Sequence, residues 1–225
     1  DDMVPFSHRM RWLSHIRLPG EPGLWRIGLA QEQIAAIQPL PLGSAAAGEN
    51  WSGDWLSPAG IDLQINGGLG LAFPELVPGD LPKLLELLEL LWRDGVEAIS
   101  PTLVTCGVAP LRQALGVLRD ARAEHQRGRC RLLGAHLEGP VLAHGKRRAH
   151  PAEHPATPRL EALEARIGGF EEDIALVTLA PELPGSDAVI AALRSRGIVV
   201  SLGHSEATAE QASHAFDQGV GMLTH

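Results

Sequence analysis

From Ser57 onward the sequence alternates short apolar runs with longer amphipathic ones, and this beat restricts the fold more than any other feature of the chain. The short runs are "AGIDLQI", "GVEAISPTLVT", "RLLGAHLEGP", "IALVTLAPE", "GIVVSLGHS" and "VGMLTH". Between them the pattern predicts helices over about residues 81–93, 109–127, 158–167, 187–196 and 206–218. Strands of this kind separated by helices predict a parallel sheet, because parallel neighbours need a crossover and a helix supplies it. The repeat of roughly 30 residues is the size of one unit in a barrel of eight. A doubly wound open sheet satisfies the same alternation, although no dinucleotide-binding or P-loop motif marks one. Six strands are too few to close an eight-stranded barrel, and the sequence stops on His225 at a strand tip, so it reads as the N-terminal part of something longer.

Before Ser57 the pattern changes. "LWRIGLAQEQIAAI" has short apolar segments, and "PLPLGSAAAGENWSG" is a loop rich in Gly, Ala and Pro. Residues 1–56 are expected to form part of a small β-domain, and residues 57–225 the β/α portion. His8 and His15 read as isolated surface residues. A net charge of −8 argues against a nucleic-acid partner. No apolar run reaches the roughly 20 residues of a membrane span; "LPKLLELLELLW" is interrupted by Lys83, Glu86 and Glu89. Two cysteines, Cys106 and Cys130, are too few for a disulfide framework, which makes a reducing cytoplasm the expected compartment.

In parallel barrels chemistry gathers where strands end. The tips here offer Asp62, Gln64 and Asn66, then Thr102 and Thr105, then His136 and Glu138, then Glu182, His204 and His225. A single Glu or His at such a place is ordinarily a solvated or packed residue. Glu138, His204 and His225 share one position on three strands, and one carboxylate with two imidazoles suits Zn²⁺ or another borderline divalent ion. His136 can be a ligand, a donor to a ligand or a packing residue. Glu182 reads as a helix-start or loop carboxylate. Lys146, Arg147 and Arg148 read as a solvated patch or an attractor of anionic substrate. "NGGLG" reads as a tight turn, with a phosphate cradle as the functional alternative. Cys106 has no base near it in sequence and is a poor thiol nucleophile.

The ordered set "GIDLQINGG", "GAHLEGP", "KRRAHP", "LVTLAPE", "GHSEAT" and "LTH" resembles the N-acetylglucosamine-6-phosphate deacetylase family of the amidohydrolase superfamily, from about Leu56 to the last residue. The resemblance implies a TIM-type (β/α)₈ barrel, incomplete here at about six strands, with part of a small β-sandwich. It implies hydrolysis of N-acetylglucosamine 6-phosphate to glucosamine 6-phosphate and acetate, a divalent metal (Zn²⁺ above all) and a homodimer when complete. By position it gives Glu138, His204 and His225 as metal ligands, Gln64 as the residue holding metal-bound water, and Gly139 and His150 as substrate contacts. Gln64 and Asn66 stand where many amidohydrolases have His-x-His, which resembles the single-metal branch. Val141 and Arg148 depart from the family pattern. The family's catalytic Asp and a phosphate-gripping Asn segment lie beyond His225, so these residues alone are expected to be inactive; an unclosed parallel sheet leaves strand edges and apolar faces uncovered, so they are also expected to be marginally folded. The alternatives are an amidohydrolase of cyclic amides, a truncated sugar-phosphate binder without catalysis, and an inert fragment.

Overall fold

The computed structural model describes residues 10–45, 47–146, 150 and 157–225. Internal contacts divide the chain into two units, Asp1–Ala59 and Gly60–His225. In the first, β1 (Arg11–Ile16), β2 (Leu24–Ala30) and β3 (Gln33–Leu40) form an antiparallel meander, and the short β4 (Glu49–Asn50) adds parallel to β1. The β2–β3 turn is Gln31–Glu32, both left-handed at φ 51° and 63°, the mirror-image turn whose twist suits a hairpin. Leu13, Ile16 and Ile27 form its small core. The loop expected at Pro39 starts later, because Pro39 and Leu40 still pair with Trp25 and Leu24. His15 is half-buried, not an isolated surface residue; it lies where the register of β1 breaks, with Nδ1 3.1 Å from Ser14 Oγ. His8 lies outside the described residues.

The second unit runs β5 (Gly60–Ile65), the hairpin β6 (Gly67–Gly68) and β7 (Leu71–Ala72), α1 (Leu81–Arg93), β8 (Val96–Val104), α2 (Val108–Ala123), β9 (Arg131–Leu132) and β10 (Ala135–Glu138). It continues through α3 (Leu160–Ile167), β11 (Ile174–Leu179), α4 (Ser186–Ser195), β12 (Val199–Gly203), α5 (Ala209–Asp217) and β13 (Met222–Thr224). The main sheet has the order β5–β8–β10–β11–β12–β13, all parallel, with β9 paired to β8. A doubly wound sheet reverses its order at a switch point. This order never reverses, so the winding keeps one sense and the six strands curl as part of a TIM-type barrel.

Two local readings change and one is met. "RLLGAHLEGP" holds two strands, because Gly134 turns left-handed (φ 124°) between β9 and β10, and a Cβ there would stand 2.8 Å from Ala175 N. "NGGLG" is the expected tight turn, the corner of the β6–β7 hairpin, with Leu69 and Gly70 at φ 51° and 79°. Helix α5 starts at Ala209 and not near 206, because Thr208 caps it: Thr208 Oγ1 accepts from Gln211 N, and Gln211 Oε1 accepts from Thr208 N.

The strands are two-faced, as their period of two requires. Ile99, Leu103, Ala135, Leu137, Val177, Leu179 and Val200 face the helices and join one apolar core with Leu84, Leu115, Ile190 and Leu193. Ser100, Thr102, His136, Glu138, Thr178, Ser201 and Thr224 are buried polar residues of the same strands. The apolar face supplies the burial that holds the sheet under its helices, and the polar alternation positions the site.

Candidate metal centre

Glu138 ends β10 and is 3% exposed. Its Oε1 lies 2.8 Å from His204 Nε2 and 3.7 Å from His225 Nε2, and the two imidazole nitrogens are 3.2 Å apart. His204 follows β12 and His225 follows β13; β10, β12 and β13 run parallel in one sheet, with β11 between the first two, so their tips bring all three to one end. Among the described residues, these three form a group whose ligand atoms lie within 4.8 Å of one another.

The donor set fits a cation. His204 Nδ1 donates to the Lys146 carbonyl at 2.8 Å, so in the neutral ring Nε2 carries a lone pair. That lone pair faces a carboxylate oxygen and a second imidazole nitrogen, a convergence of electron donors around one point. Ligand atoms held tetrahedrally at about 2.0–2.2 Å from one ion stand about 3.3–3.6 Å apart. The three edges here, 2.8, 3.2 and 3.7 Å, bracket that spacing.

The other residues picked from the sequence divide into two sets. Gln64, on β5, is brought in: its Nε2 donates to Glu138 Oε1 at 3.1 Å. His150 is brought in as well. Its Nδ1 accepts from Thr105 N at 3.3 Å and lies 2.9 Å from Thr105 Oγ1, which leaves Nε2 as the protonated nitrogen, 3.9 Å from Glu138 Oε2. Burial pushes the His150 pKa below the ordinary histidine range against the pull of Glu138, so the ring presents a neutral N–H. Gly139 is left-handed (φ 88°), a Cβ there would collide with Thr105 Oγ1 and press on Leu142, and its N–H is used on the Thr178 carbonyl at 3.1 Å. Asn66 is exposed; its carbonyl accepts from Phe73 N. Of the basic cluster, Lys146 contributes its carbonyl, while Arg147 and Arg148 lie outside the described residues.

His136 points to the same face as Glu138 but has no free nitrogen. Nδ1 donates to the Leu63 carbonyl at 2.9 Å, and Nε2 accepts from Thr178 Oγ1 at 2.7 Å. Thr178 Oγ1 is 2.8 Å from Thr224 Oγ1, which is 2.6 Å from Ser201 Oγ. Each hydroxyl has one proton, so the donors run from Ser201 through Thr224 and Thr178 to His136. Burial holds the His136 pKa below the ordinary value, in keeping with a neutral ring. Cys106 is no activated thiol either, since burial raises its pKa against the opposing charge of Arg166.

Thr105 and Glu182 matter more than their sequence context shows. Thr105 orients His150, and Glu182 accepts from Ser205 Oγ and from Glu206 N, each at 2.7 Å, just past His204. The signal available in sequence was only their place at strand tips.

No family model matches the chain. Over 174 residues it is 37% identical to the N-acetylglucosamine-6-phosphate deacetylase of Bos taurus, covering 76% of this chain and 42% of that protein. Over 203 residues it is 34% identical to the N-acetylgalactosamine-6-phosphate deacetylase of Escherichia coli O157:H7, covering 89% of this chain and 51% of that protein. The solved N-acetyl-D-glucosamine-6-phosphate deacetylase of Mycobacterium smegmatis matches with a TM-score of 0.77 and 27% identity, over 96% of this chain and 55% of that one. The chain therefore spans about half the length of the relatives it matches, 42% and 51% in these two.

Proposed function

We propose that this chain, similar over three quarters of its length to N-acetylglucosamine-6-phosphate deacetylases, is of that family and provides the metal-binding side of an active site that hydrolyses the acetamide of an N-acetylhexosamine 6-phosphate. The observation that carries the reading is the convergence of Glu138, His204 and His225, with Gln64 and His150 beside them. When bound there, a divalent ion supplies Lewis acidity toward a carbonyl oxygen and toward water. Zn²⁺ suits two imidazoles and one carboxylate, and Gln64 in place of a histidine supports a single ion.

The residues do the rest. Glu138 supplies the negative charge that holds the ion. Gln64, whose amide donates to Glu138 Oε1, holds the hydrolytic water in this reading. His150 offers a neutral Nε2–H to a sugar oxygen, steadied by Thr105. The general base that would move a proton from water to the leaving amine is expected from a later strand of the family fold, so the 225 residues by themselves are proposed to bind metal without turnover. A homodimer, a cytoplasmic setting, a first unit that is part of a small β-sandwich, and the absence of nucleic-acid or membrane partners complete the proposal. No described helix is long and apolar enough to cross a membrane.

The Escherichia coli relative, aligned over more of this chain than the Bos taurus one, is named for the galactosamine epimer, which supports that sugar as a second reading. Bound metal, sugar-phosphate binding and acetate release should be measured with both epimers, on the 225-residue chain and on any longer form of the protein. One ion per chain and no acetate from the short form are expected. Turnover by the short form alone would overturn the half-site reading, and no bound metal would overturn the metal centre.

A further inference from the structure

We infer that Glu182 is a positioning residue for His204, acting through Ser205 and Glu206; the inference rests on the metal-centre reading above. His204 is the first residue beyond β12, and its backbone is left-handed at φ 51°. An L-residue with a Cβ keeps that conformation only where its surroundings enforce it. The enforcement comes from three sides. Upstream, Gly203 is pressed against the sheet, and a Cβ there would stand 2.7 Å from Thr178 Cγ2 and 2.8 Å from Thr224 O. Across the site, Ala143 N donates to His204 O at 2.9 Å, and Lys146 O receives His204 Nδ1–H at 2.8 Å. Downstream, Glu182 holds the next two residues with both carboxylate oxygens: Oε2 accepts from Ser205 Oγ and Oε1 from Glu206 N, each at 2.7 Å. Ser205 Oγ in turn accepts from Ala207 N at 2.9 Å, so its single proton is committed to Glu182.

Glu182 stands just beyond β11, the neighbour of β12, so adjacent strand tips carry the clamp and the ligand it holds. It is not itself in the group that can hold an ion. Removing its carboxylate frees Ser205 and the Glu206 N–H together. The backbone at His204 can then leave the left-handed region, and Nε2 turns away from Glu138.

The test is divalent-metal affinity by chelator competition with Zn²⁺ or Co²⁺, measured below the unfolding temperature of the metal-free protein, alongside that temperature itself. Glu182→Ala is expected to weaken binding by about 10–100-fold, the range for lost outer partners of a metal ligand. Glu182→Gln and Ser205→Ala, which each keep one of the two bonds, are expected to weaken it less. A lowered unfolding temperature with metal affinity within about twofold of the parent would overturn the inference, since a purely structural clamp gives that result. Should Glu182→Ala not fold, Glu182→Gln and Ser205→Ala carry the test, and parental affinity in both overturns it. If the parent protein binds no divalent ion, the metal centre fails and this inference with it; parental binding matched by the variants sinks the positioning role alone.

Discussion

His136 and His204 sit on neighbouring parts of one curled sheet, yet their nitrogens are used in opposite ways. His136 gives Nδ1 to a backbone carbonyl and fills Nε2 with the Thr178 hydroxyl. His204 also gives Nδ1 to a carbonyl, but its Nε2 faces Glu138 and His225. A histidine with both nitrogens satisfied is part of the wall; one held by a single nitrogen and aimed by it keeps the other available as a ligand. The same contrast separates the two regions they stand for. The row Ser201–Thr224–Thr178–His136 is a closed chain of donors and acceptors below the strand tips. The group at the tips is a convergence of lone pairs that asks for a cation.

The largest effect expected is at the tips. Glu138→Gln removes the negative charge shared by the group and should lower divalent-metal affinity by more than about a hundredfold, beyond the loss expected for outer partners. Chelator competition reads this, and parental affinity in the variant would break the contrast between the two regions. The interior row should answer in stability instead. Thr178→Val removes the donor to His136 and the acceptor for Thr224, leaving buried groups unmatched, and should cost about 2–3 kcal/mol in denaturant unfolding. Its metal affinity should stay within a few-fold of the parent. Ser201→Ala removes only the end of the row and should cost about 0.5–1.5 kcal/mol; a cost equal to that of Thr178→Val would show that the row is not directional.

The smallest effect is a control on the chemistry that neither region uses. Burial pushes the Cys130 thiol up to about 11, so its thiolate appears only as the pH rises toward that value. Alkylation of the folded protein at pH 8 should therefore be slow at Cys130, speed up with rising pH, and become fast on unfolding. Fast labelling of Cys130 in the native protein at pH 8 would place the thiol outside the apolar layer where it now sits.

Much of this was legible in the residues because strand tips obey simple rules. The alternation of apolar runs and helices carried the parallel sheet, and Glu138, His204 and His225 stood out as metal-binding types at equivalent places. What sequence left open was anything decided by a partner distant in the chain. The choice between barrel and open sheet lay in strand order, which no periodicity reveals. His136 stayed ambiguous because Leu63 O and Thr178, the groups that fill its nitrogens, are 73 and 42 residues away. Glu182 looked like an ordinary loop acid because one of its partners is a backbone N–H, which every residue but proline has. The break at Gly134 was missed because the apolar run continues through it, although the strand does not.

The most direct test of the central claim is the number of zinc ions bound per chain, by elemental analysis after dialysis, in the parent, His204→Ala and His136→Leu proteins. One ion in the parent, one in His136→Leu and none in His204→Ala is the expected result. Two ions in the parent, or a loss in His136→Leu equal to that in His204→Ala, would contradict the division between a ligand at the tip and a histidine of the wall.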